Sequence, residues 1–110
     1  PADLKLAREA LHLIETAAGG EPTLNDLAAF LDVGPARLDR AFQEVHGQSV
    51  YQTVLALRFG RIWTALLAGE PIKAVADRFG YTSVSNFSSA FRRRMGLPPR
   101  AWLNQQVRRR

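Results

Sequence analysis

Ser85, Asn86, Ser89, Arg92 and Arg93 recur at spacings that place them on one side of a helix turning about 100° per residue. Their chemistry is recognition rather than catalysis. An Asn carboxamide pairs with adenine through two hydrogen bonds, and an Arg guanidinium pairs with guanine. A Ser hydroxyl meets either a base edge or a phosphate. Arg92 and Arg93 fall near the C-terminal end of the stretch, where contact with phosphate positions a helix without specifying sequence. Val84, Phe87, Ala90 and Phe91 fall on the opposite side and are predicted to face a core. Arg94, near the core edge, is predicted to snorkel.

A second set lies earlier in the chain. Ala36, Arg37, Arg40, Gln43 and Glu44 share an outward face, with Asp39 at its edge, and Leu38, Ala41, Phe42 and Val45 are predicted to point inward. Arg40 and Gln43 have base-reading chemistry. Asp39 and Glu44 oppose the attraction of the two arginines for phosphate.

Other chemistries find little support. The chain has no cysteine, which excludes disulfides, thiolate metal sites and cysteine nucleophiles. His12 and His46 are isolated, with no second ligand nearby, so no metal is expected. Gly19–Gly20 lacks the Lys-Ser/Thr that would make it a phosphate loop. No carboxylate–histidine pair has a usable spacing, and no cofactor is expected. Phe42, Phe87 and Phe91 sit at core spacing, and Trp63 and Trp102 are read as packing residues.

The elements that must hold these faces are all helical. Asp3 is predicted to cap a first helix with Ala7, Ala10, Leu11, Ile14, Ala17 and Ala18 on one face, stopped by Gly19–Gly20. Thr23 and Asp26 open a short helix carrying Leu24, Leu27, Ala28 and Leu31. Gly34–Pro35 opens a third, ending at His46 with Gly47 as its cap. Ser49 and Gln52 start a long helix to about Ala68, ended by Gly69. Pro71 starts a fifth, short helix over Ile72 to Phe79. Ser83 caps a sixth that runs to Met95 and stops at Gly96. Pro98–Pro99 opens a short last helix with Ala101, Trp102 and Leu103, followed by the basic tail Arg108, Arg109 and Arg110. The long helix is apolar on several sides (Val50, Val54, Leu55, Leu57, Phe59, Ile62 and Leu66) and is predicted to be buried.

The chain repeats itself. At an offset of 48, Leu24, Leu27, Ala28 and Leu31 fall on Ile72, Val75, Ala76 and Phe79. At an offset of 49, Leu38, Ala41, Phe42 and Gly47 fall on Phe87, Ala90, Phe91 and Gly96. Two copies of a short helix, a tight turn and a longer helix are two helix-turn-helix units. The expected organisation is a first lobe over residues 1–48, a linker helix over 49–69 and a second lobe over 70–110 with its short C-terminal helix and basic tail.

Composition agrees. With 110 residues, 46% hydrophobic and 23% charged, the chain is of ordinary globular make-up. No apolar run approaches the ~18 residues of a membrane span, and no membrane partner or signal peptide is expected. The start at Pro1 is read as that of a piece of a longer protein. The net charge of +5 is unevenly spread. Residues 1–55 have four Lys and Arg against eight Asp and Glu, a balance of −4. Residues 56–110 have eleven against two, a balance of +9. A basic field so concentrated points to a polyanion.

From about Arg8 to Leu103 the sequence resembles the DNA-binding domain of AraC/XylS-family bacterial transcription regulators. GYTSVSNFSSAFRRRMGLPPRAW is similar to that family's second helix-turn-helix and signature. TLNDLAAFLDVGPARLDRAFQEVHGQSVYQTVLALR is similar to its first unit and the start of its linker helix. The resemblance implies an all-α fold of seven helices, two helix-turn-helix lobes joined by a long linker, with recognition helices entering successive major-groove segments. It carries the base-reading slots onto Ala36, Asp39 and Arg40, and onto Ser85, Asn86 and Ser89. It also implies a separate N-terminal effector or dimerisation domain. Trp102 and Leu103 depart from the tyrosine and arginine usual in the family, and Gly60 interrupts the linker helix.

Geometry points the same way. A linker of ~19 residues is about 28 Å long, against about 34 Å between successive major-groove faces. The expected function is sequence-specific binding of double-stranded DNA by a cytoplasmic, nucleoid-associated regulator with no chemistry of its own. The alternative is a helical protein-interaction module, for example one docking on RNA polymerase, with weak DNA contact. An enzymatic reading is weaker: repair activities fused to such domains need a reactive cysteine.

Overall fold

Seven helices account for most of the chain in a computed structural model that describes residues 2–17 and 20–109: α1 (Ala2–Thr16), α2 (Leu24–Leu31), α3 (Pro35–His46), α4 (Val50–Leu67), α5 (Ile72–Arg78), α6 (Val84–Met95) and α7 (Pro99–Arg108). Among the described residues there is no strand, and the fold is the all-α one expected.

Local chemistry sets the helix ends. At α2 the Asp26 amide donates to Thr23 Oγ1 and the Thr23 amide donates to Asp26 Oδ2, both at 3.1 Å. These bonds, the backbone one foremost, hold the Asp26 carboxyl below its ordinary pKa. The same reciprocal box opens α4, where the Gln52 amide donates to Ser49 Oγ and the Ser49 amide to Gln52 Oε1. Pro35 occupies the first turn of α3, where its missing amide hydrogen costs nothing. Gly47 and Gly96 end α3 and α6 in the left-handed region, φ 76° and 88°, which other residues enter only with strain.

Three ends differ from expectation. Asp3 lies inside the first turn of α1 rather than capping it, because the helix already includes Ala2. There Asp3 favours the positive end of the helix dipole and faces Arg37. At its other end α1 closes at Thr16, whose hydroxyl donates to the His12 carbonyl at 2.7 Å. Ala17 is non-helical, and the expected positions Ala18 and Gly19 lie outside the described residues. α7 runs through Arg108, so this part of the basic tail is helical; Arg110 lies outside the described residues.

The chain forms two compact units, Pro1–Arg58 and Phe59–Arg110. The first is built on Leu6, Ala10 and Ile14 of α1, Leu27 and Ala28 of α2, Leu38, Ala41 and Phe42 of α3, and Val50 and Val54 at the start of α4. His46 belongs to this packing. Its ring lies 4.5 Å from that of Phe42, and its Nε2 is 3.0 Å from the Ala7 carbonyl. A carbonyl only accepts, so Nε2 holds the proton. Arg58 returns to the loop before α2, donating two hydrogen bonds to Glu21 at 2.6 and 2.7 Å.

The second unit is organised around Phe91. Its ring meets Phe87 at 5.9 Å, Phe59 at 6.2 Å and Trp102 at 5.6 Å, the last edge-on. Each such pair contributes about 0.5–1.5 kcal/mol beyond the burial itself. Val75 and Ala76 of α5 are buried as the repeat predicts. α4 is less buried than its apolar pattern suggested. Val50, Val54, Phe59, Ile62, Ala65 and Leu66 are covered, but Trp63 is 40% exposed and Tyr51 is open to solvent. Trp63 leans on Trp102 with ring centres 6.5 Å apart, which leaves one of its faces in water.

Gly60 lies inside α4 with no positive φ, and an added Cβ would meet only Trp63 Nε1, at 4.0 Å. Gly60→Ala is therefore expected to stabilise the chain by about 0.5–1 kcal/mol through its better helix propensity and the lower entropy of the unfolded chain. Urea unfolding followed by circular dichroism checks this; a destabilised variant would show that the Trp63 contact outweighs propensity.

Candidate nucleic-acid interface

In the first unit, α3 presents the face expected of it. Leu38, Ala41 and Phe42 are buried, and Ala36, Arg37, Arg40, Gln43 and Glu44 are exposed. Val45, predicted to point inward, lies in the last turn of α3 and is 37% exposed. The arginines differ. Arg37 lies 3.6 Å from Asp3 in an open ion pair. Such a pair contributes little and is readily exchanged for another anion. Arg40 is exposed and, among the described residues, enters no ion pair. Asp39 is half-buried and occupied on both oxygens. Oδ1 accepts from the Val50 amide at 2.9 Å and Oδ2 from Gln43 Nε2 at 3.2 Å.

In the second unit, α6 buries Phe87 and Phe91 and exposes Ser85, Asn86, Ser89, Arg92 and Arg93. Val84 was expected in the core and is 41% exposed, at the first position of the helix. Ala90 is half-buried. The start of α6 is held by Ser83 Oγ, which accepts from the Asn86 amide at 3.0 Å. Asn86 also donates through Nδ2 to Thr82 Oγ1 at 2.5 Å. The carboxamide is thereby oriented before any ligand arrives, with its oxygen and second Nδ2 hydrogen left over.

Charge in the second unit is largely uncompensated. Glu70 is taken by Arg78 at 2.7 Å, and Arg94 lies over the Phe59 ring at 5.8 Å, the core-edge position expected of it. Among the described residues neither Arg92 nor Arg93 is in an ion pair, and both are open to solvent. Two hydroxyls, an amide and two free guanidiniums on one helix face match base edges and phosphates and offer no nucleophile–base pair. Among the described residues no three His, Asp or Glu come close enough to hold a metal, and no helix is long and apolar enough to cross a membrane.

Three bonds of the two faces escaped the sequence reading. Asp39 and Gln43 are four residues apart in α3, a spacing at which helical side chains meet, and that signal was available; Thr82 lies just before the Ser83 cap of α6, outside the helix, where that rule does not reach. The bond from Val50 to Asp39 spans eleven residues and no local pattern carries it.

Comparison with known proteins agrees with this geometry. Residues 27–105 match the family described as Helix-turn-helix domain. HTH-type transcriptional regulators of Mycobacterium bovis and Mycobacterium tuberculosis are each 38% identical over 80 residues. That stretch is 71% of this chain and 23% of each relative, so the match spans about a quarter of their length. Among solved structures, the C-terminal domain of AraT, a response regulator from Geobacillus stearothermophilus, is 29% identical with a TM-score of 0.77, covering 91% of this chain and 84% of that one. A transcriptional regulator of the AraC-type DNA-binding domain-containing proteins from Chromobacterium violaceum is 25% identical with a TM-score of 0.76, covering 94% of both. A DNA-binding transcriptional dual regulator from Escherichia coli K-12 is 27% identical with a TM-score of 0.71, covering 94% of this chain and 93% of that one. With a family match over most of its length and the helix faces just described, the chain belongs to the AraC-type helix-turn-helix domain family.

Proposed function

We propose that this AraC-type domain binds double-stranded DNA sequence-specifically for a transcription regulator, through α3 and α6 as recognition helices reading successive major-groove segments. The observation that carries this reading is the exposed face of α6, where Ser85, Asn86, Ser89, Arg92 and Arg93 stand opposite buried Phe87 and Phe91. In this reading residues 1–48 are the first lobe, 49–69 the linker helix and 70–110 the second lobe. Asn86, Ser85 and Ser89 meet base edges in one segment and Arg40 and Gln43 in the other. Ala36 is placed to touch a thymine methyl. Arg37, Arg92 and Arg93 hold phosphates and set the register.

The domain performs no chemistry of its own. Effector sensing or dimerisation belongs to a separate N-terminal part of a protein as long as its relatives, and the work is done in the cytoplasm on the nucleoid. A further contact with RNA polymerase has one observation in its favour. Phe30 on α2 is 67% exposed beside Leu13 and Leu31, in a groove edged by Arg8, Glu9 and His12.

Selection of bound sites from random duplexes tests the reading and yields the operator. Affinity should fall steeply with salt as Lys and Arg displace condensed counterions. Five or six phosphate contacts give a log–log slope of about −5. A flat salt response would leave the protein-interaction reading in its place.

Asn86→Ala and Arg40→Ala should each relax preference at a particular operator position by roughly 1–3 kcal/mol. Binding to every single-base variant of the operator is the check. Unchanged preference in both variants would mean that other residues read the bases.

The two helices should contribute unequally. Arg92→Ala/Arg93→Ala should weaken binding to operator and random duplex alike and flatten the salt slope by up to about two. Arg37→Ala/Arg40→Ala should mainly affect the operator, since Asp39 and Glu44 already offset their field. A larger loss on random duplex from the α3 pair would contradict the asymmetry.

A further inference from the structure

Asp39 occupies an outward slot of α3, yet its carboxylate is turned to the protein. Val50, whose amide it accepts, is the first residue of α4. That amide is one of the four that a helix N-terminus leaves without an intrahelical acceptor, and the helix dipole favours a negative charge there. A cytosine amino group that needed Asp39 would have to displace one of its two present donors. Displacing Val50 would strand a part-buried amide.

Gln43 lies one turn further along the same face and is exposed. A carboxylate only accepts, so Asp39 decides which end of the Gln43 amide turns toward it: Nε2 and not Oε1. One Nε2 hydrogen is used in that bond. The other, together with Oε1, remains for a ligand. One donor and one acceptor on a single amide match the N7 and N6 amino group of adenine.

We propose that Asp39 is a positioning residue for base recognition: it ties α3 to the first amide of α4 and orients Gln43, which reads an adenine, while Asp39 itself touches no base. This rests on the DNA-reading role proposed above for α3.

Site selection with the wild-type chain supplies the operator. Binding to all its single-base variants is then measured for wild type, Gln43→Ala, Asp39→Ala and Asp39→Asn, alongside thermal unfolding of each. Asp39→Asn separates the two tasks. Its Oδ1 still accepts from Val50, but its own amide hydrogens no longer oblige Nε2 of Gln43 to turn inward.

The wild type should prefer adenine at one position by about 5- to 150-fold, and Gln43→Ala should abolish that preference. Asp39→Asn should reduce the same preference severalfold, leave other positions unchanged and unfold only slightly below the wild type, having lost the charge but not the acceptor at the start of α4. Asp39→Ala should lose the preference and unfold clearly earlier than Asp39→Asn, because the Val50 amide is left without its acceptor. If both Asp39 variants retain a Gln43-dependent preference, the positioning role falls and the DNA reading stands. A cytosine preference lost with Asp39 but kept in Gln43→Ala would assign the base contact to Asp39 and overturn the proposal. So would a wild-type site with no Gln43-dependent position. A wild-type chain with no sequence preference at all would overturn the DNA reading and the proposal together.

Discussion

Burial of Phe42 in one unit, and of Phe87 and Phe91 in the other, decides which side of α3 and α6 remains in water. A helix has one rotational setting that hides those rings, and every other side chain takes its direction from it. Arg40 and Gln43 face solvent because Leu38, Ala41 and Phe42 do not. Ser85, Ser89 and Arg92 are likewise outward because Phe87 and Phe91 are inward. The polar faces spend no stability on their own orientation. They inherit it from about 1.5–3 kcal/mol of transfer free energy for each buried apolar side chain. This division of labour lets the exposed residues differ between the units while the cores keep the same spacing.

The two faces differ most in how their charges are already engaged. On α3, Arg37 has Asp3 nearby, and the carboxylate of Asp39 is held by Val50 and Gln43. On α6, nothing described opposes Arg92 or Arg93, while Arg94 is drawn aside over the ring of Phe59. Three consecutive arginines thus take two different surroundings. Helical rotation of about 100° per residue sends the third to the edge of the aromatic core.

Much of this was legible in the sequence, because it depends on period and punctuation. The capping pairs Thr23/Asp26 and Ser49/Gln52, Pro35 at a first turn, and Gly47 and Gly96 after the last turn all act through neighbours within a few residues. The core positions of α3 and α6 followed from 3.6-residue spacing. The pattern failed at helix ends. Val45 and Val84 have the right phase to be buried but stand in terminal turns, 37% and 41% exposed. Periodicity reports direction around the axis and is silent about position along it. The partners of Asp39 were hidden for a related reason. Its place on the wheel suggested an open edge, while the bond that occupies it comes from a helix that begins eleven residues later. The Asp39–Gln43 bond was within reach of the four-residue rule, since both residues lie in α3.

α4 belongs to both units, since the division between them falls at Arg58 and Phe59, within its length. Its first residues are ordered by Asp39, Ser49 and the Val50–Val54 packing, and its later ones by Phe91 and Trp102. Starting a helix is costly, because several residues must be fixed for the first hydrogen bond, whereas extending one is nearly free. Whichever unit condenses first therefore hands the other a helix already begun. The other unit is then spared the cost of nucleating that helix, and the stabilities of the two halves are linked through the continuity of one backbone.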